Sequence, residues 1–359
     1  MFKKIISTLA LIFILLIGCV DNSSQSAIKI GIILPLTGGG AEWGNHSKNA
    51  YELALKEIRK EYPKLNLQLQ FDDSQTDAKT ALSIFNRFYS VENIKIVMGL
   101  LVSSNVLTIA PIAEENHVLV ISNGASNPDI SNAGDYIFRT WQSDALEGSA
   151  DVTYALDSLK WRKIGVVYSE NGYGKGLADV FSKEMESRNF EPIMVESFPI
   201  GQKNFRNLIA KFDQHTVDGL YIASYPTESA IMLKQLEEAG KYIPILGTQG
   251  FDDTQVAEAL KYVKSPVHYS IPLPPDTTSG IVSKFINDYQ TQYGMMPGIT
   301  ADAAYDALML GAQAINTVGD DPAKIKDYLY TIRNYQGASG KLSFNKYGDV
   351  EKPFVFISN

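Results

Sequence analysis

The stretch IKIGIILPLTGGGAEWGNHSKNAYELALKEI, residues 28–58, decides the fold. Ile30–Leu34 is a short apolar run of the kind that forms a buried parallel strand. Past the glycines, Ala50, Leu53, Ala54, Leu55 and Ile58 recur at helical spacing. Strand, glycine-rich turn and helix make up the setting in which a dinucleotide fingerprint carries meaning. The spacing fails: reading G-x-G-x-x-G from Gly38 gives Gly38 and Gly40, then Trp43 in place of the third glycine. That glycine lets strand and helix pack closely, and an indole obstructs them. G-x-x-x-x-G-K-[ST] is missing as well; NGYGKG (171–176) has the residue types without the order. The stretch therefore reads as the mouth of another kind of site, not as a phosphate cradle.

The rest of the chain bounds what that site serves. Its 359 residues are enough for two core-bearing domains, and a 45% apolar content is that of an ordinary globular protein. Met1–Lys4 is basic, Ile5–Gly18 is an apolar run, and the chain's one cysteine, Cys19, follows. The run is short for a spanning helix and suits the core of a signal peptide over residues 1–18. LIGC (16–19) resembles the bacterial lipobox, which implies lipidation of Cys19; a chance cysteine after an ordinary signal peptide is the alternative. The polar DNSSQS (21–26) then serves as a flexible tether within residues 19–27. Removing residues 1–18 takes away Lys3 and Lys4, which leaves 30 basic residues against 40 acidic ones and a net charge of −10. That balance argues against a nucleic-acid partner. With Cys19 committed to lipid, the folded part has no thiol for a disulfide, a metal or a nucleophile. The expected location is extracytoplasmic, anchored to the bacterial membrane by the N-terminal lipid.

Apolar runs alternate with amphipathic stretches almost to the end. The expected strands are Ile30–Leu34, Leu67–Phe71, Ile96–Met98, Val118–Ile121, Ile164–Tyr168, Ile193–Phe198, Gly219–Ile222 and Ile245–Leu246. Helices are expected over Ala78–Tyr89, Gly176–Arg188, Phe205–Phe212 and Glu228–Ala239. Such β-α alternation implies parallel sheets covered by helices. IGIILPLTGGGAEWG from Ile30 is echoed by IGVVYSENGYGKG from Ile164, so two doubly wound α/β units fit better than one oversized sheet.

Ligands of open parallel sheets bind beyond the carboxyl ends of the strands. The turns there are TGGGAEWG (37–44), GLLVSSN (99–105), SNGASNP (122–128), SENGYG (169–174), ASYPTE (223–228) and GTQGFDD (247–253). They are rich in Ser, Gly, Asn and aromatics and poor in catalytic residue types. His46, His117, His215 and His268 are scattered, outside any H-E-x-x-H or triad context, and read as surface or helix-end histidines. No G-x-S-x-G elbow is present. The chain reads as a recognition protein with no cofactor and no enzymatic activity.

These turns, together with FDDSQTDAKTAL, VMGLLVSSNVL, VISNGASNPDI, IFRT, YGKGLA and DGLYIASYPTESA, resemble the periplasmic leucine/isoleucine/valine-binding family. Its members are the type I solute-binding proteins of ABC importers. The resemblance runs from about Ile28 to the end. It implies two Rossmann-like lobes joined by a three-segment hinge: residues 28–140 plus 273–337, and 141–272 plus 338–359. The crossings are expected near Ile137–Asp144, Tyr269–Pro275 and Gly337–Leu342. A small-molecule ligand binds between closing lobes, and the closed form, expected to be a monomer, docks on a membrane permease. Turn by turn, the resemblance gives Ser103 to the ligand carboxylate and Gly124 and Ser126 to the completion of that anchor. It gives Trp43 to a wall of the side-chain pocket, and Tyr173 and Tyr225 to a cover from the second lobe. The chemistry is sound independently: hydroxyls and turn N–H groups hold a carboxylate without a buried cation, and tyrosines seal while still hydrogen-bonding. SNGASNP is also ordinary turn chemistry, and Trp43 also suits capping of the helix entry.

One position departs from the family. Its amino-acid binders place an acid in the second lobe against the ligand ammonium, and the matching position here is Gln249. A neutral amide does not balance a buried positive charge. Asp252, Asp253 and Asp302 are the candidate stand-ins, with solvated loop acids and a helix-start charge as their plain readings. The expectation is a ligand with a carboxylate or amide and no free ammonium; strict branched-chain amino acid binding is the alternative. A sensor that presents its closed form to a receptor or regulator is a further one. With no span or signalling segment before Asn359, a receptor ectodomain is not expected.

Overall fold

The computed structural model describes residues 27–359. The signal peptide, Cys19 and all but the last residue of the tether lie outside the described residues. Among those described, no helix is long and apolar enough to cross a membrane.

In chain order, the first lobe contributes β1 (Ile28–Leu34), α1 (Ala41–Glu61), β2 (Leu67–Asp73), α2 (Ala78–Ser90), β3 (Ile96–Gly99), α3 (Ser103–Glu115), β4 (Leu119–Ser122) and β5 (Ile137–Arg139). The chain then crosses to α4 (Asp144–Thr153), β6 (Ile164–Ser169), α5 (Gly172–Ser187), β7 (Met194–Phe198), α6 (Arg206–Lys211), β8 (Gly219–Ala223), α7 (Pro226–Glu238), β9 (Ile245–Gly247), α8 (Thr254–Leu260) and β10 (Val267–Pro272). It returns through α9 (Gly280–Tyr293), α10 (Ala301–Val318), α11 (Pro322–Leu329) and the hairpin β11 (Tyr335–Gly337) and β12 (Gly340–Leu342), and ends in β13 (Phe354–Ser358).

The two sheets run β2-β1-β3-β4-β5 and β13-β10-β9-β8-β6-β7. Every pairing in them is parallel except β13 on β10. Each expected strand is present, most of them longer than expected at one end. Period-two alternation shows why the strands are apolar throughout: Ile30, Ile32 and Leu34 face one core layer and Ile33 the other, as do Ile96 and Met98 against Val97. The second lobe repeats this, with Leu220 and Ile222 opposed to Tyr221 and Ala223. A sheet covered on both faces has no polar side to advertise.

Glycines set the close approaches. A Cβ on Gly44 would stand 2.0 Å from the Pro35 carbonyl oxygen. The intimate contact thus exists one residue after Trp43, which leaves the indole to face Tyr225 of the other lobe. The second-lobe helix begins at Gly172, four residues before the expected Gly176. Asn171 accepts from the Gly174 N–H at 2.7 Å and caps the earlier start.

The third crossing differs from expectation. Ala338, Leu342, Phe344 and Val350 pack into the first lobe's core, so the chain passes over after Val350 and not near Gly337–Leu342. Residues 338–350 belong with the first lobe, and only the final strand joins the second. The cause is Asp306 on α10, whose carboxylate accepts from the Ala338 and Ser339 N–H groups at 2.7 and 2.9 Å and pins the hairpin. Two of the histidines differ as well. His46 is half-buried and bonded through Nδ1 to the Tyr289 hydroxyl at 2.8 Å, and half-buried His268 lies on β10 against Tyr154. His117 and His215 are exposed.

Candidate functional site

One cavity lies between the carboxyl ends of both sheets, and all seven expected binding residues line it: Trp43, Ser103, Gly124, Ser126, Tyr173, Tyr225 and Gln249. Leu101, Trp141, Ile299 and Thr300, which sequence reasoning missed, complete the wall. None of these side chains is a cation or a carboxylic acid.

Helix α3 opens at Ser103, and its buried Oγ accepts from the Ser126 and Asn127 N–H groups, both at 3.2 Å. Those bonds occupy the oxygen's lone pairs and leave the hydroxyl proton to donate into the cavity. They also use the Ser126 N–H, so the turn presents Ser103's proton in place of its own backbone donor. Gly124 is there for space: a Cβ would meet Leu101 at 2.4 Å and Thr300 at 3.3 Å. Thr300 itself holds φ at 71°, a strained value for a β-branched residue, at the start of α10. Its hydroxyl bonds to Ser47 at 2.9 Å, and its carbonyl accepts from Asn123 at 3.3 Å.

From the second lobe, Tyr225 meets Trp43 edge to face and stacks on Tyr173 with centroids 5.7 Å apart. The Tyr173 hydroxyl is tied to Thr248 at 2.7 Å and accepts from the Gly250 N–H at 3.3 Å. The Tyr225 hydroxyl and the Trp43 Nε1 are buried with no partner among the described residues. Buried polar atoms left unpaired are costly, and they mark where a ligand's polar groups are wanted.

The lobes are closed. Gly172 N–H donates to Ser104 Oγ at 3.0 Å, Asn127 Nδ2 donates to the Gly172 carbonyl, and Thr254 donates to Glu42 at 2.8 Å. The cavity measures only about 30 Å³, against about 150 Å³ for a void that accepts benzene. Admitting a molecule of amino-acid size therefore requires the lobes to part and close less tightly around it.

Asp252, Asp253 and Asp302 do not line this cavity. Asp253 caps α8 by accepting from Gln255 N–H at 2.8 Å, and Asp302 accepts from the neighbouring Ala303 N–H at 2.8 Å. Asp252 and Asp302 line an adjoining cavity near the second crossing, which shares Trp141, Ile299 and Thr300 with this one, and Asp252 and Asp253 line another at the rim. Burial raises the Asp252 carboxyl, and Asp253 is raised to about 6, again chiefly by burial.

Three other acids stand closer to Gln249. Asp144, Glu147 and Asp151 share one face of α4 and are fully buried. Gln249 Nε2 donates to Asp144 Oδ1 at 3.3 Å, and its backbone N–H donates to Glu147 Oε1 at 2.6 Å. Glu147 Oε1 also accepts from Ser270 Oγ at 2.9 Å, and Asp151 accepts from Tyr221 OH at 2.9 Å. Burial pushes Asp144 up to about 7, opposed by the Ser126 hydroxyl and the Arg139 charge, and pushes Asp151 up to about 8. Glu147 is held well above the ordinary carboxyl range by burial and by the two neighbouring acids. In sequence the only signal is the spacing of the three acids, which does not say that their shared face points inward. Among the described residues, no cluster of side chains is arranged to hold a metal ion.

Two parallel-sheet lobes, three crossings and a buried cavity between them define a two-lobed solute-binding protein that closes over its ligand. The chain belongs to the periplasmic binding protein family, whose sequence model matches residues 27–357. A relative in Brucella melitensis, Leu/Ile/Val-binding protein homolog 3, is 26% identical over 92% of this chain and 91% of its own. The leucine-, isoleucine-, valine-, threonine- and alanine-binding protein of Pseudomonas aeruginosa is 26% identical over 92% of this chain and 89% of its own. Among solved structures, a leucine-binding protein from Thermotoga maritima superposes with a TM-score of 0.84 at 26% identity, covering 92% of this chain and 95% of the other. A benzoate-bound solute-binding protein from R. palustris shares the fold at the same TM-score with 17% identity, covering 92% of each chain. Such proteins bind solutes outside the cytoplasm for ABC transporters and are not enzymes.

Proposed function

We propose that this protein captures a small, carboxylate-bearing, amino-acid-like solute, of the branched-chain type, and delivers it to the permease of an ABC importer. The observation that carries the reading is the convergence of Ser103, Gly124 and Ser126 from one lobe with Tyr173, Tyr225 and Gln249 from the other on one cavity. The Ser103 hydroxyl anchors the carboxylate, and Trp43, Leu101 and Ile299 supply apolar wall for the side chain. Contacts from both lobes exist only in the closed state, so the ligand favours closure by its differential affinity. In this reading Cys19 carries a lipid, residues 19–27 tether the lobes to the membrane, and the protein works as a monomer. Relatives named for leucine, isoleucine and valine support the side-chain class.

The test is a thermal-shift series with leucine, isoleucine, valine and 4-methyl-2-oxopentanoate on the protein freed of residues 1–19. A ligand at a hundred times its Kd adds about 2.7 kcal/mol, which moves the melting point measurably. Stabilisation by at least one of these carboxylates is expected. No shift with any of them overturns the ligand class. Cys19 is tested separately, by metabolic labelling with a fatty acid and its loss in Cys19→Ala.

A further inference from the structure

We propose that the chamber behind Trp141 and Ile299 is a second compartment of the ligand site, shaped for the uncharged apolar tail of a carboxylate solute longer than leucine. The inference rests on the carboxylate reading above and names the part of the ligand that lies beyond its head.

The two cavities differ in size. The one at Ser103 measures about 30 Å³, whereas the adjoining chamber measures about 280 Å³. Pockets for small solutes run to about 300–1,000 Å³ and are largely preformed. Parting of the lobes gives a head group room beside Ser103; a tail has space already. Trp141, Ile299 and Thr300 line both cavities and form their common wall.

The chamber is apolar and stiff. Leu273, Ile286 and Met296 contribute to its lining, with Pro272, Pro274 and Pro275 of the second crossing. The fixed φ of proline leaves that side little freedom to collapse. Leu273 is 47% and Met296 55% exposed, so apolar surface stands uncovered that a tail would remove from water. The charged groups do not select an ion. Lys352 Nζ donates to the Ser339 carbonyl at 2.5 Å, Asp302 accepts from the Ala303 N–H at 2.8 Å, and burial raises the Asp252 carboxyl above its usual value. One cation set against two acids offers a charged tail no dedicated partner.

The wall has one fixed leaf and one that can turn. Trp141 is fixed, because its Nε1 donates to Gln249 Oε1 at 2.9 Å. Around Ile299 the backbone is pinned: the Gly298 N–H donates to His46 Nδ1 at 3.1 Å, and the Thr300 hydroxyl bonds to Ser47 at 2.9 Å. The Ile299 side chain itself has no polar group to tie it, and it also borders the rim cavity. A change of rotamer turns it aside and joins the two compartments.

Isothermal titration compares two short carboxylates, leucine and 4-methyl-2-oxopentanoate, with two long ones, 2-aminooctanoate and 2-oxooctanoate. Pairing amino with oxo acids makes the result independent of an ammonium. At least one long acid should bind the wild type about tenfold or more tighter than its short counterpart, each CH₂ buried in the chamber giving about fourfold. Ile286→Trp fills the chamber from a position outside the Ser103 cavity. It should abolish that advantage and leave the short acids within about threefold of wild type. An advantage that survives in folded Ile286→Trp, or an equal loss of long and short acids, overturns the proposal. Short acids that bind without any advantage for the long ones overturn it too and leave the carboxylate reading intact. Binding of neither pair removes both. Binding of the long acids alone upholds the chamber and overturns the branched-chain class. If Ile286→Trp does not fold, Leu273→Trp, on the exposed side of the chamber, takes its place.

Discussion

The ring of Trp43 meets the ring of Tyr225 edge to face, centroids 5.6 Å apart and planes at 85°, and so joins the lobes across the ligand cavity. Such a pair adds about 0.5–1.5 kcal/mol to closure beyond the area it buries. The Tyr225 hydroxyl beside it is buried and has no hydrogen-bond partner among the described residues. Tyr225→Phe should therefore leave the melting point unchanged or slightly raised while weakening ligand binding about three- to tenfold. Equal ligand affinity in the variant would show that the hydroxyl never reaches the ligand.

Stability should fall toward alkaline pH. The folded-state values of about 7 for Asp144 and about 8 for Asp151 lie above the unfolded value near 4, with burial the main cause. Raised carboxyls contribute stability that is complete below the unfolded value and lost as pH rises through the folded one. Melting curves between pH 5.5 and 9 should show Tm dropping by several degrees. Asp151→Asn should flatten that drop, gaining on wild type above pH 8, because the amide carries no charge to bury. An unchanged slope in the variant would remove Asp151 from the account.

Arg139 and Asp349 form a bidentate pair, Nε–Oδ1 at 2.6 Å and Nη2–Oδ2 at 2.9 Å, where the first and third crossings leave the first lobe. Arg139 also donates to the Asn127 carbonyl at 3.0 Å and so steadies the SNGASNP turn. Removing one partner of a buried pair costs about 3–5 kcal/mol, because the other charge is stranded. Asp349→Asn should show that loss in urea unfolding. A loss below about 1 kcal/mol would mean that water reaches the stranded guanidinium.

Gly44→Ala separates propensity from packing. In a free helix alanine gains about 1 kcal/mol over glycine. Here the added methyl would lie 2.0 Å from the Pro35 carbonyl oxygen, so the variant should be destabilised. A stabilised variant would contradict the close strand–helix contact.

Parallel strands buried on both faces are written plainly in runs such as IGIIL, and the turns after them line the inter-lobe cavity, so the sheets and seven of its wall residues are legible in the sequence. The ionic part is not. Asp144 and Glu147 sit in the first turn of α4, where acids ordinarily face water and favour the helix dipole; only tertiary packing turns that face inward. Trp141 lies in the first crossing, and its role depends on Gln249, 108 residues away. The place of the third crossing is hidden because nothing in GASGKL (337–342) shows that Asp306, 32 residues before Ala338, holds the Ala338 and Ser339 N–H groups to the first lobe.

The proposed function rests on Ser103's hydroxyl proton anchoring a ligand carboxylate between the lobes. Isothermal titration of leucine and 4-methyl-2-oxopentanoate into the wild type and Ser103→Ala tests it most directly, with each variant's melting point recorded. Binding to wild type and a loss of at least tenfold for every bound carboxylate in Ser103→Ala are expected. Undiminished affinity in a folded Ser103→Ala protein would contradict it.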